Sequence, residues 1–252
     1  GFFGKWHVSQ HHQGYLGWSP THGPLQQGFA EGDSDFGSHP YAYRTDKGLK
    51  DRVVMAGKFP EDRLTDKAIA FLRSHQTNRF FLYLSQYSVH DPIHSRCAWL
   101  IEKYRAKLPP GSDPIRAHYA AMVETLDHNV GRVLDEIDAL RLMDDTLLVF
   151  MSDNGGHPEY TTNAPLRGSK WNLYEGGIRV PFIACWPGVV PEGATSDSVV
   201  HGCDLFPTFC EAAGVTPPEA GRDGVSLLSA LKTPGAGLSR TVPLVWHFPY
   251  YH

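Results

Sequence analysis

Apolar residues recur along this chain in two patterns, and the elements they predict alternate. Over 61–76, Leu64, Ala68, Phe71 and Leu72 share one face at helical spacing. Residues 80–84 are a continuous apolar run that predicts a buried strand, and it gives way to Ser88-Val89-His90-Asp91-Pro92. A short helix is predicted over 98–107, broken by Pro109-Pro110-Gly111. Asp113-Pro114 offers a cap followed by a proline suited to a first helical turn. Behind it Tyr119, Met122, Val123, Leu126, Val130, Val133, Leu134, Ile137 and Leu140 form a long apolar stripe. A second apolar run, 147–151, predicts a buried strand that stops at Ser152-Asp153-Asn154-Gly155-Gly156. Strand, long helix, strand is a βαβ unit, so 80–85 and 146–152 are expected to lie parallel and end at one sheet edge. That would bring His90 toward Asp153 and Asn154. Further on, 180–186 reads as a strand entered through Pro181, 204–213 as a helix closed by Gly214, 226–231 as a helical turn, and 241–246 as a last strand. The alternation places the chain in the α/β class.

Composition narrows the function. A chain of 252 residues can build one large domain, expected to be 1–252. A net charge of −4 leaves no basic excess to neutralise phosphates, which excludes a general nucleic-acid binder. No apolar run reaches the length of a membrane span. Cys97, Cys185, Cys203 and Cys210 form no close CxxC pair, which argues against a zinc knuckle or redox motif. Cys185 sits in an apolar strand and reads as buried, and one disulfide involving Cys203 or Cys210 stays open. Residues 1–60 are rich in Gly, His and aromatics and read as loops and short elements around a site, where Gly4-Lys5-Trp6-His7 stands out.

Asp153 and Asn154 place a carboxylate beside a carboxamide at a strand end, an edge where α/β proteins build sites. Such oxygen donors suit a hard cation, calcium or magnesium. They equally suit a turn in which the side chains bond their own backbone, and residue chemistry leaves the two readings level. Lys5 and His7 also fit a solvated loop, His90 a core histidine and Lys170 a plain exposed lysine. Together, a cation site, lysines and histidines are the parts needed to bind and cleave the ester of a tetrahedral oxyanion. The metal and lysines neutralise the anion, and a histidine protonates the leaving alkoxide.

Three motifs closely resemble those of the formylglycine-dependent sulfatases of the alkaline-phosphatase-like superfamily. They are Gly4-Lys5-Trp6-His7, Ser152-Asp153-Asn154-Gly155-Gly156, and Asn163-Ala164-Pro165-Leu166-Arg167-Gly168-Ser169-Lys170 running into Tyr174-Glu175-Gly176-Gly177-Ile178-Arg179-Val180-Pro181. Weaker matches are Tyr87-Ser88-Val89-His90, Leu126-Asp127 with Val130-Gly131, Asp204-Leu205-Phe206-Pro207-Thr208 and Asp223-Gly224-Val225-Ser226-Leu227. The resemblance covers essentially the whole chain in the family's order. It implies a mixed, mostly parallel sheet flanked by helices, here without its first strand. It also implies roles: Asp153 and Asn154 as calcium ligands, with magnesium the lesser candidate; Lys5 and His7 holding and tuning the formylglycine and sulfate; His90 contacting the ester and acting as acid; Lys170 binding sulfate. Glu175 and Arg179 would order the loop and the strand after it. In that mechanism a hydrated aldehyde attacks sulfur, the alcohol leaves, and the sulfated hydrate collapses to release sulfate.

The departures from the family pattern matter as much. The Cys or Ser-x-Pro-x-Arg nucleophile motif, and the paired aspartates before it, belong upstream of Gly4-Lys5-Trp6-His7, where only Gly1, Phe2 and Phe3 stand. None of the four cysteines has that context, and the motif is read as absent. The expectation is a fragment of a longer sulfatase that does not turn over by itself. Val8-Ser9 replaces the usual Leu-Gly, and Ser169-Lys170-Trp171 stands where Gly-Lys-Gly is common. Trp171 is expected either to line the substrate pocket or to pack outward. Residues 245–252 resemble a stretch near the pocket mouth, with His247 a candidate substrate contact. The expected partner is a sulfated small molecule or carbohydrate, and export to the periplasm or medium is the family tendency. Two alternatives stay open: a phosphomonoester, phosphodiester or phosphonate hydrolase of the same superfamily, and a non-catalytic homologue that binds sulfated glycans. The Asp-Asn pair favours a one-metal sulfatase, because the two-metal phosphatases want Asp-His pairs there.

Overall fold

In the computed structural model, which describes residues 1–9, 17–34, 37, 54–218 and 222–248, the first long helix, α1, spans Arg63–His75. Asp62 starts it: Leu64 N donates to Oδ1 at 3.2 Å and the Thr65 hydroxyl to Oδ2 at 2.5 Å, satisfying an end that the helix itself leaves unbonded. Its predicted stripe is its buried face. Leu64, Ala68 and Phe71 pack with Phe3 and Tyr87 in one core cluster. Helix α2, Ala98–Arg105, lies against α3, Ile115–Ala139, through Cys97, Leu100, Ile101, Ala117 and Ala121. The alanines let the two helices approach closely. The expected stripe of α3 is only partly the buried face, because Val123 and Leu134 are 43% and 39% exposed while Ala117 and Ala121 are fully buried. The predicted cap holds: Asp113 Oδ1 accepts from Ile115 N at 2.9 Å. Glu136 on α3 takes a two-pronged bond from Arg73 on α1, at 2.8 and 2.7 Å.

The 252 residues divide into two compact units, 1–141 and 142–252. In the first, strand β1 (Phe2–Gly4) pairs in parallel with β2 (Tyr83–Ser85), with Gly4 opposite Ser85. In the second, β3 (Leu148–Met151) pairs antiparallel with β4 (Phe182–Cys185), with Met151 opposite Phe182. The two runs expected to lie parallel thus have other partners: 83–85 pairs with β1, and 148–151 pairs antiparallel with β4. Phe2–Gly4, too short an apolar run to read as a strand, supplies the parallel partner of β2.

Burial of the strands is corrected too. Phe81 and Tyr83 are 47% and 46% exposed, and the register pair Phe150 and Ile183 is 40% and 61% exposed. Cys185 shares the exposed face of β4, and all four cysteines are free thiols. The expected last strand is absent: 241–248 is irregular, and Val242 and Val245 point to solvent without a ladder partner among the described residues.

The second unit is anchored on a buried ion pair. Asp204, fully buried, precedes helix α5 (Leu205–Ala212, which follows the four-residue α4, Glu175–Ile178) and is answered by Arg240, with guanidinium bonds of 2.8 and 2.5 Å. Val225 N and His201 N complete its shell at 3.0 and 2.7 Å. Burial alone would raise this carboxyl, but Arg240 and the two backbone donors outweigh it and hold it below the usual range. Arg240→Ala should therefore cost about 3–5 kcal/mol, read as a lower denaturation midpoint, since it strands a buried charge. With a depressed folded-state pKa, the stabilisation is present above the unfolded value of about 3.9 and lost as pH falls through the folded value. The native protein should weaken in that acid window, and Arg240→Ala should lack that contribution. Equal midpoints at neutral pH would contradict this.

Candidate functional site

Within the first unit, Gly4 ends β1 at φ +109, and a Cβ there would fall 1.9 Å from Ser85 O. Only glycine lets the two backbones meet, and Lys5 N then donates to Ser85 O at 2.9 Å. Because β1 and β2 are parallel and in register, Lys5-Trp6-His7 and the segment leading to His90 leave the same end of the pair. Trp6 is tied by its indole N–H to His22 O at 2.9 Å, while His7 is exposed. His90 is partly buried, with Nδ1 2.8 Å from Asp91 O and 3.0 Å from Asp91 Oδ1. Both partners accept, so Nδ1 carries the proton and Nε2 is the nitrogen suited to exchange with a substrate.

Within the second unit, the turn after β3 and the loop 163–178 are knitted backbone to backbone. Gly155 N donates to Gly177 O at 2.9 Å, and a Cβ on Gly155 would lie 1.8 Å from Gly176 O. Gly176 N donates to Arg167 O at 2.7 Å, and Cβ atoms on Gly176 and Gly177 would fall 2.2 and 2.0 Å from the oxygens of Gly168 and Asn172. Asn163 clamps Gly156 from both sides, accepting from its N–H at 2.8 Å and donating to its carbonyl at 3.0 Å. Lys170 N donates to the same carbonyl at 3.0 Å. The motifs of Asp153-Asn154 and Lys170, separate in sequence, are therefore one substructure. Helix α4, Glu175–Ile178, closes the loop, with Arg179 Nη1 3.3 Å from Glu175 Oε2.

Asn154 Nδ2 donates to Gly155 O at 2.9 Å, which orients the amide so that Oδ1 is its remaining ligand atom. With the exposed Asp153 beside it, the donor set is all oxygen and fits part of a hard-cation shell. Among the described residues no group of three or more His, Cys, Asp or Glu converges to hold a metal.

Trp171 has φ +79, rare for a bulky side chain and costing about 1–3 kcal/mol, and its indole stands 45% exposed. Sequence reasoning missed the aromatics around it: His157 meets Trp171 edge to face at 4.4 Å and stacks on Tyr160 at 4.5 Å. The histidine next to the Gly155-Gly156 pair was the available signal. It also missed the Asn163 clamp. His247 lies exposed on the irregular 241–248 segment, while its neighbour Trp246 meets the ring of His201 at 5.4 Å. Pro249 to His252 lie outside the described residues.

The nucleophile motif expected to be absent has one formal match. A string of the form Ser-x-Pro-x-Arg does occur, Ser112-Asp113-Pro114-Ile115-Arg116. The structure gives it to helix capping: the Ser112 hydroxyl donates to Pro109 O at 2.7 Å, and Asp113 caps α3.

The sulfatase family model matches residues 1–215. A sulfatase of Formosa agariphila is 37% identical over 204 residues, covering 75% of this chain and 37% of that protein. The N-acetylgalactosamine-6-sulfatase of Sus scrofa is 30% identical over 254 residues, covering 90% of this chain and 45% of its own length. The solved structure of Ps i-CgsB in complex with k-i-k-neocarrahexaose is similar at a TM-score of 0.70 and 31% identity, over 91% of this chain and 54% of that one. The chain thus spans less than half the length of these curated relatives. It shares with the solved sulfatases the mixed α/β, alkaline-phosphatase-like fold. On the matched motifs and the extent of the family match, the chain belongs to the sulfatase family.

Proposed function

We propose that this chain belongs to a sulfuric ester hydrolase that cleaves sulfate monoesters of carbohydrates. The observation that carries the reading is the joining of the Asp153-Asn154 turn to the Lys170 loop through Gly155, Gly156 and Asn163. A carboxylate, a carboxamide oxygen and an ammonium on one rigid backbone cluster suit a tetrahedral anionic ester. The carbohydrate assignment draws on Ps i-CgsB, solved with neocarrahexaose, and on the relative named for N-acetylgalactosamine 6-sulfate.

In this proposal Asp153 and Asn154 hold calcium rather than magnesium, because a loop-borne, irregular oxygen set does not impose the strict octahedron that magnesium demands. Such a cation supplies charge stabilisation at the sulfate oxygens. Lys170 neutralises the sulfate, and Lys5 and His7 steady the nucleophile and the sulfate. His90, its Nδ1 proton held by Asp91, protonates the leaving alkoxide from Nε2 when the ring is cationic. The nucleophile is the family's formylglycine, which we assign to no residue of the 252.

The test is the protein expressed from its full natural reading frame and offered a sulfate monoester and a phosphate monoester of the same sugar. Sulfate release should exceed phosphate release in kcat/KM by at least about tenfold, the margin a site matched to one ester class provides. Faster phosphate release would move the chain to the phosphoester hydrolases. Saturable binding with no release would make it a glycan-binding homologue.

A further inference from the structure

Resting on the sulfate-ester reading, we infer that His157, Tyr160 and Trp171 form an aromatic corner that holds the pyranose ring of the sulfated sugar beside Lys170. The corner is built into the same cluster. Tyr160 N and Thr161 N donate to His157 O at 3.2 and 3.1 Å, turning the chain back over Gly156, whose carbonyl receives Lys170 N. His157 Nδ1 accepts from Glu159 N at 3.2 Å, which fixes the imidazole and puts its neutral-form proton on Nε2. Tyr160 lies across one face of that ring, 24° from parallel, and the indole of Trp171 stands at 74° to it.

Three features point to a sugar. First, the indole is solvent-exposed at a left-handed backbone position that disfavours any bulky residue, so the loop spends stability to present it. Second, Lys170 Nζ stands over the indole at 6.0 Å from its centre, at the edge of the cation–π range, so the ammonium that would meet a sulfate borders the aromatic corner. Third, the corner mixes one apolar face with an imidazole N–H and a phenol. A pyranose has that character, with C–H groups on one face and hydroxyls at the rim. A steroid or plain aryl sulfate would instead call for enclosing apolar walls, and Trp171 is 45% exposed.

The test is calorimetric titration of the protein expressed from its full natural reading frame with a carrageenan-derived sulfated tetrasaccharide and with methyl sulfate. The wild type should prefer the tetrasaccharide. Trp171→Gly should cut that preference roughly tenfold to a hundredfold, the range that stacking on an aromatic face supplies. Glycine adopts φ +79 freely, so this variant should unfold no earlier than the wild type. Trp171→Phe should restore most of the preference, and Lys170→Ala should weaken both ligands together. An unchanged preference in Trp171→Gly, or an equal loss on both ligands, would overturn the inference alone. Failure of the wild type to bind either ligand would overturn it together with the sulfate-ester reading.

Discussion

Gly155→Ala is expected to break the site without touching a single charged group. Its new methyl would sit 1.8 Å from Gly176 O and 2.8 Å from Gly176 C, and neither is the movable tip of a side chain. Overpacking against side chains costs about 1–3 kcal/mol, and against backbone the cost should be at least about 3 kcal/mol. The bond from Gly155 N to Gly177 O is one of several between the β3 turn and the 163–178 loop, so relief of the clash should break it and strain the bonds at Gly156. Lys170 would then move relative to Asp153 and Asn154. The variant should show a lower denaturation midpoint and a loss of sulfate-ester hydrolysis larger than its stability loss explains. Gly202→Ala is the control, because nothing lies within 4 Å of a Cβ there. If both substitutions behave alike, the backbone knit does not organise the site.

The helices were the most legible part of the sequence because their information is local. Asp62, Leu64, Ala68, Phe71 and Leu72 lie within about three turns of chain, and α1 forms where their spacing places it. The strands were less legible. β1 is Phe2–Gly4, and its strand character comes from Ser85, some eighty positions away. Exposed Phe150, Ile183 and Cys185 look buried in sequence because an apolar run states hydrophobicity, not what covers it. The site was legible as motifs and not as contacts. Ser152–Gly156 and the Lys170 loop could each be read, but that Gly155 exists to meet Gly176 required the fold. Trp171 stood out as an oversized residue, whereas the His157–Tyr160 stack depends on a turn that no pattern announced. Arg240 carried no signal at all, since its partner Asp204 is thirty-six residues earlier.

Asp153→Ala should have the largest effect on activity. The residue is exposed at the end of β3, so its loss should leave the core intact and the denaturation midpoint nearly unchanged. What it removes is the carboxylate of a two-residue oxygen set whose other member, Asn154, has its amide nitrogen committed to Gly155 O. A neutral carboxamide oxygen alone holds a hard cation poorly. Without the cation, the charge building on the ester oxygens falls to Lys170 and its neighbours, and hydrolysis should drop by about a hundredfold to a thousandfold, as when an oxyanion donor is removed. Asp153→Asn should recover little, since it keeps the shape and loses the charge. The decisive measurement is sulfate release from a sulfated oligosaccharide as calcium is titrated, for the protein in its full natural reading frame and for its Asp153→Ala variant. Release should depend saturably on calcium in the first and be residual and calcium-independent in the second. Full, calcium-responsive release by Asp153→Ala would contradict this.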